Sequence, residues 1–334
     1  MKAKQWVLKK QFQGNPKSSD VGIKEISLPN LKNGEVMIEC LAISVDPYQR
    51  LFVKNAKPGD VMYGEQVAKV IESKNADYPV GTHVTTFAGW TTHAVVPGDK
   101  LVKVPEYPPD VPIGLALGLL GMTGLTAYYG LLKVGELKEG ETVYVNAAAG
   151  AVGTVVGQLA KLKGCKVIGS AGSDDKVKYL KTELGFDEAF NYKTIPDMPT
   201  FEQTLKRLAP KGIDVFFENV GGLAFRAVLD QMNVDGRVAL CGAISSYNST
   251  DKFTPSIPSI GEPMTMKGLR ITGFTGWAYS AKDKNNDALK EMIKWVQEDK
   301  LKYPGHNFKG FENCFKAFLS LFTGDNIGKV LVTI

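Results

Sequence analysis

Residues 141–164, ETVYVNAAAGAVGTVVGQLAKLKG, decide how the rest of the chain is read. Thr142–Asn146 carries the valines and tyrosine of a buried strand. A run of small residues follows from Ala147 to Gly153, and Thr154–Lys163 then places Val155, Val156, Leu159 and Leu162 at helical spacing. Strand, small-residue turn and helix form the context in which a G-x-G-x-x-G fingerprint has meaning. Small residues let the backbone approach a pyrophosphate, and the helix start offers unpaired N–H groups and the positive end of its dipole. Here Ala148 stands at the first glycine position while Gly150 and Gly153 fill the other two, so a ligand-free βα turn fits as well.

In a dinucleotide-binding unit that prefers NAD, an acidic residue about 20 residues on holds the ribose 2′-hydroxyl. Counting from Gly150 reaches Ser170, after the apolar strand Lys166–Gly169, in the sequence Gly169-Ser170-Ala171-Gly172-Ser173 with Lys176 beyond. Small hydroxyl residues and a lysine accommodate a 2′-phosphate that a carboxylate would repel, so the expected cofactor is NADP(H). Asp174 and Asp175 come later, where an N-cap and first turn of a helix over Lys176–Leu184 would place them.

The chain has 334 residues, 44% hydrophobic and 22% charged, enough for two domains with cores of their own and unlike disordered or collagenous sequences. A net charge of +5 with no block of like sign argues against a dedicated nucleic-acid surface. The N-terminus MKAKQWVLKK has no apolar leader and no run reaches the length of a membrane span. Four cysteines, Cys40, Cys165, Cys241 and Cys314, lie far apart, as reduced thiols of a cytoplasmic protein would.

Residues 1–115 read as short strands between Gly and Pro turns, with Gln5–Lys9, Gly34–Ala42, Gln66–Ser73, His83–Phe87 and Thr91–Val96 as candidates. That texture predicts a partly open β-rich barrel. Ile113–Leu132 is small, apolar and helix-like. After the fingerprint, strands at Lys166–Gly169, Glu188–Tyr192, Asp214–Glu218, Arg237–Cys241 and Arg270–Phe274 alternate with helices at Lys176–Leu184, Phe201–Leu208 and Leu223–Met232. This rhythm predicts a doubly wound parallel sheet, hence an α/β protein. Ser245–Met266 reads as a long loop, Asp287–Glu298 as a helix, and Lys329–Ile334 as a strand able to return to the first domain.

Taken together, the chain resembles the zinc-independent medium-chain dehydrogenase/reductase family. It is most similar to the branch of prostaglandin reductases, leukotriene 12-hydroxydehydrogenases and NADPH-dependent alkenal/one oxidoreductases. The motifs that carry the resemblance are Val45-Asp46-Pro47-Tyr48-Gln49-Arg50, Gly121–Tyr128, Asn146–Gly153, Asn191-Tyr192-Lys193, Glu218–Gly222, Cys241–Ser245 and Gly324-Asp325-Asn326. It implies a GroES-like catalytic domain (residues 1–115 and 300–334) split around an inserted Rossmann NADP-binding domain (116–299), and a homodimer. The zinc-dependent relatives carry Gly-His-Glu where this chain has Gly64-Glu65-Gln66, and the three histidines, His83, His93 and His306, form no ligand cluster, so no metal is expected.

Without a Lewis acid to form an alkoxide, the implied reaction is reduction of a C=C bond conjugated to a carbonyl. Hydride adds to the β-carbon, charge collects on the carbonyl oxygen as an enolate, and the α-carbon takes a proton. That charge needs a hydrogen-bond donor in a dry pocket. The resemblance puts Tyr247 against cofactor and substrate, either in this role or in relaying the proton. Expected cofactor contacts are Gly150, Ala151, Val152, Gly153, Lys176, Tyr192, Asn219, Cys241, Gly242, Ala243, Ile244, Ser245, Ser246, Phe274, Thr275, Gly276 and Asn326. Lys176 and Tyr192 would meet the 2′-phosphate. Tyr48, Arg50, Tyr63 and Trp90 are assigned to the substrate side; Arg50 suits either a carboxylate tail or a buried ion pair bracing the barrel. Cys241 has no evident base beside it and reads as a packing thiol. A quinone reductase and a non-catalytic cofactor-binding relative are the competing readings.

Overall fold

The computed structural model describes residues 1–107, 111–250 and 260–334, and the chain divides into two compact units, Met1–Gly118 with Gly305–Ile334, and Leu119–Pro304. The first unit begins with β1 (Lys2–Leu8), β2 (Val21–Ser27) and β3 (Glu35–Val45). A single helical turn α1 (Gln49–Phe52) follows, then β4 (Gln66–Ser73), β5 (His83–Thr86), β6 (His93–Pro97) and β7 (Val102–Lys103). Four of the five predicted strands differ from these only at their ends; the strand over Gln66–Ser73 matches at both. Val21–Ser27 was not foreseen: its side chains are mostly exposed, and it exists by pairing antiparallel with β1 from Lys2↔Ser27 to Leu8↔Val21.

The second unit opens with an interrupted helical stretch. Gly118 and Gly121 adopt backbone outside the helical region, so Ile113–Leu132 is not one helix. A 3₁₀ turn at Ile113–Leu117 is separated from α2 (Met122–Tyr129), which runs on into a π-turn at Gly130–Val134. Then β and α elements alternate: β8 (Thr142–Val145), α3 (Gly153–Leu162), β9 (Lys166–Ala171), α4 (Asp174–Thr182), β10 (Glu188–Asn191) and α5 (Met198–Leu208). They continue with β11 (Ile213–Glu218), α6 (Ala224–Gln231), β12 (Met232–Leu240), α7 (Gly261–Lys267), β13 (Arg270–Gly273), α8 (Gly276–Ser280) and α9 (Asp287–Gln297). The six strands form one parallel sheet in the order β10-β9-β8-β11-β12-β13. Every residue of β8 is buried, because helices cover both faces of such a sheet and a continuous apolar run results. Tyr144, Phe190, Phe216 and Phe225 are among the large side chains that fill one face.

Ser245–Met266 departs from the expected loop. Residues 251–259 lie outside the described residues, and α7 begins at Gly261 and ends on Gly268 in the left-handed region at φ 59°. Pro263 hid this helix from a sequence reading, although proline is tolerated in a first turn where no N–H bond is yet required.

The chain then returns to the first unit with β14 (Gly305–Lys309), α10 (Cys314–Thr323) and β15 (Lys329–Thr333). β15 pairs antiparallel with β3, Val330 opposite Val45 and Thr333 opposite Ala42. The sheet of this unit runs β14-β15-β3-β4-β5-β7, with β6 also paired to β3. A core of this unit gathers Phe12, Ile43, Met62, Trp90, Phe311, Phe315, Phe318 and Val332, so the two ends of the sequence share one interior.

Candidate active site

The parallel sheet reverses its winding between β8 and β11, and in open α/β sheets the ligand crevice lies outside the carboxyl ends of the strands at that point. The expected residues Gly150, Ala151, Val152 and Gly153 sit there, between the end of β8 and the first turn of α3. A Cβ on Gly153 would stand 2.5 Å from the Ala147 carbonyl oxygen and 2.7 Å from Ala148 Cα, so only glycine lets the helix start this close to the turn. Ala148 replaces the first fingerprint glycine at no cost in φ; Ala147 takes the left-handed conformation instead, at φ 47°. The turn therefore keeps the close approach that a pyrophosphate needs at the start of α3, where the Thr154 and Val155 N–H groups already donate to the Gly150 and Val152 carbonyls.

Ser170 is not at the ribose position. It is buried within β9, and its hydroxyl is 2.9 Å from the Tyr144 hydroxyl. β9 runs two residues further than its apolar pattern suggested, to Ala171, so the next residue, Gly172, stands at the strand end. No carboxylate occupies this place. A Cβ on Gly172 would be 3.4 Å from the Tyr192 hydroxyl and 3.6 Å from Lys193 Nζ. Lys193 was quoted in the sequence only within the Asn191-Tyr192-Lys193 motif, of which Tyr192 alone was assigned to the cofactor. Ser173 caps α4, its hydroxyl accepting from the Lys176 N–H at 3.4 Å, and both Asp174 and Asp175 fall in the first turn. Lys176 is largely buried and lies one helical turn from the cap.

The three turns after β8, β11 and β12 are knitted together. Asn219 donates from its backbone N–H to Asn146 Oδ1 at 2.7 Å and from its side chain to the Asn146 carbonyl at 3.0 Å. The N–H groups of Cys241 and Gly242 donate to the Glu218 carbonyl, and those of Ile244 and Ser245 to the Asn219 and Val220 carbonyls. The Ser246 hydroxyl donates to the Ala243 carbonyl at 2.9 Å. This folds residues 241–247 back so that the Tyr247 hydroxyl accepts from the Ala243 N–H at 3.4 Å. Desolvation pushes the Tyr247 hydroxyl above its ordinary range, which keeps it a proton donor at neutral pH. Burial and the neighbouring Glu218 push the Cys241 thiol up to about 12, so it holds no thiolate. Phe274 packs edge-on against Phe217 at 6.0 Å, Thr275 caps α8, and Gly276 is buried where a Cβ would lie 2.2 Å from Thr126 Oγ1.

The remaining candidates belong to the first unit. Tyr63 stacks on Phe52 at 4.2 Å and on Phe87 at 5.4 Å, and Tyr48 meets both Phe52 and Tyr63 edge-on. Phe52 and Phe87 stay exposed, leaving an apolar aromatic surface on this unit. Trp90 does not join it. Its ring is fully buried against Phe318 at 5.9 Å, and a Cβ on Gly64 would lie 2.7 Å from it, so Trp90 is core. Arg50 is buried too; its guanidinium donates to the Gly14 carbonyl at 3.2 Å and lies 5.4 Å over the Phe12 ring. The buried ion pair of the VDPYQR motif is made instead by Asp46 with Lys329 of β15. Asn326 is buried and its amide donates to the Gly328 carbonyl at 3.1 Å, bracing its own turn.

Beside that ion pair lies Glu65, which the sequence marked only as standing in place of the zinc-ligand histidine. It is nine-tenths buried, and its Oε2 has no hydrogen-bond partner among the described residues. Desolvation, with help from Asp46 and against the pull of Lys329, raises its carboxyl to about 7. Tyr48 and Tyr63 feel its charge as well. The folded state therefore keeps this proton to higher pH than the unfolded chain, so stability falls as pH rises from the ordinary glutamate range through 7. Glu65→Gln is expected to stabilise the protein at pH 8.5, by up to roughly 3 kcal/mol at 1.36 kcal/mol per pKa unit, and to change little at pH 5. Urea unfolding at the two pH values checks this; equal effects at both would refute it.

Among the described residues no group of three or more His, Cys, Asp or Glu side chains is placed to hold a metal ion, and no helix is long and apolar enough to cross a membrane. Residues 4–104 match the family described as the N-terminal domain of oxidoreductase, and residues 151–298 the one described as zinc-binding dehydrogenase. Prostaglandin reductase 1 of Sus scrofa is 51% identical over 335 residues, covering 99% of this chain and 99% of that protein. The NADP⁺-dependent 2-alkenal reductase of Nicotiana tabacum is 40% identical and covers 99% of this chain and 97% of its own length. The crystal structure of CurA from Vibrio vulnificus in complex with NADPH superposes with a TM-score of 0.88 at 35% identity, over 99% of this chain and 98% of that one. An Ala-x-Gly-x-x-Gly turn at the switch point of a six-stranded parallel sheet and relatives matching from end to end agree: the chain belongs to the zinc-independent medium-chain dehydrogenase/reductase family, in its prostaglandin reductase branch.

Proposed function

We propose that the protein reduces the C=C bond of α,β-unsaturated aldehydes and ketones, including alkenals, enones and 15-oxo-prostaglandins, with NADPH as reductant. The observation that carries this reading is the Tyr247 hydroxyl, kept protonated by burial on the turn after β12. That turn belongs to the second mononucleotide half of the sheet. NADPH supplies the hydride that adds to the β-carbon. Tyr247 then donates a hydrogen bond to the carbonyl oxygen as enolate charge develops there, and the α-carbon takes a proton through the same hydroxyl. Two electrons and one proton arrive with the hydride and one further proton completes the saturated carbonyl. Tyr48 and Tyr63, with Phe52 and Phe87, offer the apolar surface for the substrate's hydrocarbon part. The names of the pig and tobacco relatives, a prostaglandin reductase and a 2-alkenal reductase, support both substrate classes.

Lys176, Tyr192 and Lys193 are assigned to the 2′-phosphate, because no acid stands at the end of β9 and the Tyr192 hydroxyl and Lys193 ammonium reach Gly172. Gly150–Gly153, Asn219, Cys241–Tyr247, Phe274–Gly276 and Asn326 are assigned to the rest of the cofactor. The test is the absorbance of NADPH or NADH at 340 nm with a 2-alkenal, 15-oxo-prostaglandin and a simple quinone, with products identified by mass spectrometry. Saturation of the enone double bond with NADPH preference is expected. Lys176→Ala is expected to weaken NADPH binding about 10–100-fold, the size of a lost charge-assisted hydrogen bond, and NADH binding less than threefold. Turnover of the quinone alone would sink the proposal. A homodimer in the cytoplasm is part of the same reading; light scattering at the monomer mass would remove the first half of it.

A further inference from the structure

Glu218, the last residue of β11, is fully buried, and the reaction just described makes no use of it. Its Oε1 accepts from Asn146 Nδ2 at 2.8 Å, from the Gly221 N–H at 2.6 Å and from the Val220 N–H. Its Oε2 has no hydrogen-bond partner among the described residues. Its backbone carbonyl accepts from Cys241 and Gly242 at 2.9 and 3.1 Å. One side chain thus ties the turn after β8 to the turn after β11, while its backbone holds the turn after β12 that carries Tyr247. All three turns meet at the point where the sheet reverses, and β11 opens the half that receives the second mononucleotide.

The hydrogen bonds alone do not call for a charge, because the amide oxygen of a glutamine would accept the same three donors. Burying a carboxylate is costly, so a carboxylate kept in place of an amide points to a use for its field. In a site of low effective dielectric that field reaches across several ångströms. The oxidised nicotinamide ring carries a positive charge that the reduced ring lacks. We propose that Glu218 is a positioning residue whose negative charge, held at the switch point by Asn146, Val220 and Gly221, favours binding of the oxidised cofactor over the reduced one. This rests on the NADP(H) reading above. A transition state for hydride transfer carries part of the same positive charge, so Glu218 assists the forward step without touching the substrate. Burial raises the Glu218 carboxyl above its ordinary range, while its three donors hold it down. The titratable groups facing it, Tyr144 of β8 and Cys241, are themselves driven up and stay neutral, so among the described residues no counter-charge cancels it.

The test uses the full chain and compares Glu218→Gln with the unaltered protein. Dissociation constants for NADP⁺ and for NADPH are measured separately by calorimetry, alongside the melting temperature. Glu218→Gln is expected to weaken NADP⁺ binding about tenfold and NADPH binding less than threefold, as for a charge at roughly 10 Å in a medium of effective dielectric near 20. Equal losses for both cofactors, or no change in either, overturn the inference. Should the variant not fold, the unaltered protein decides. The ratio of its two affinities is expected to shift toward NADPH as pH falls from 8 to 4.5 and Glu218 is protonated, and a flat ratio overturns the inference. The 2′-phosphate titrates in both cofactors and cancels from that ratio. Failure of the unaltered protein to bind either cofactor would overturn the NADP(H) reading itself, and binding with an unchanged ratio this inference alone.

Discussion

Replacing Tyr247 by phenylalanine is expected to lower kcat/KM toward an enone about 10²–10³-fold, while NADPH affinity stays within threefold. The size is that of losing one preorganised donor to a developing oxyanion. The substitution removes only the hydroxyl, whose one hydrogen bond among the described residues is the long 3.4 Å bond from the Ala243 N–H. The turn itself is held elsewhere, by the N–H groups of Ile244 and Ser245 on the Asn219 and Val220 carbonyls and by the Ser245 hydroxyl at 2.6 Å from the Val220 carbonyl. Removing the Tyr247 hydroxyl should therefore leave the cofactor side intact, and the loss should appear in kcat more than in KM. Steady-state kinetics with a single alkenal, beside direct NADPH titration, separates the outcomes. A variant that retains more than a third of kcat would show that the enolate is stabilised by something other than Tyr247.

The largest loss of stability is expected at Lys329. Its ammonium pairs with Asp46 deep in the first unit and also reaches the Val45 carbonyl at 3.4 Å; both side chains are more than nine-tenths buried. The second Asp46 oxygen takes the Ser44 hydroxyl, and its backbone N–H donates to Gln49 Oε1 at 3.1 Å. Lys329→Met strands a buried carboxylate beside the Glu65 carboxyl, so a cost of about 3–5 kcal/mol is expected. Asp46→Asn in the same chain removes the stranded charge, and the double variant should recover at least half of that loss. Urea midpoints of the three variants measure it. A single variant within 1 kcal/mol of the unaltered protein would mean that the pair contributes little beyond what its own desolvation costs.

These expectations differ in where they could have been seen. The β8–α3 stretch announces itself because strand, small-residue turn and amphipathic helix are local patterns, and local backbone preferences are written in neighbouring residues. The alternation of strands and helices after Gly164 announces a parallel sheet for the same reason, and Tyr247 could be placed beyond a strand by counting. Ser170 shows the limit of counting. The apolar pattern ended at Gly169, but pairing of Gly169 and Ala171 with β10 carries the strand on, and the hydroxyl of Ser170 turns inward to Tyr144.

The substrate-side residues show the limit more sharply. Trp90 and Arg50 look alike in sequence to Tyr48 and Tyr63, polar or aromatic groups near prolines and glycines. Only packing against Phe318 and Phe12, supplied from far along the chain or from its start, makes the first two interior. Asp46 with Lys329, Glu65 beside them, and Glu218 with Asn146 could not be read from spacing at all, since their meaning lies in partners 283 and 72 residues away and in the loss of water around them. By itself the sequence determined the strand–helix alternation after Gly164, the dinucleotide turn and the chemistry of the residues along it, because those depend on local periodicity and side-chain type. The tertiary structure alone decided which charges are buried, which hydroxyls face inward and which aromatic rings remain exposed, because desolvation and long-range contact exist only once the chain has closed on itself.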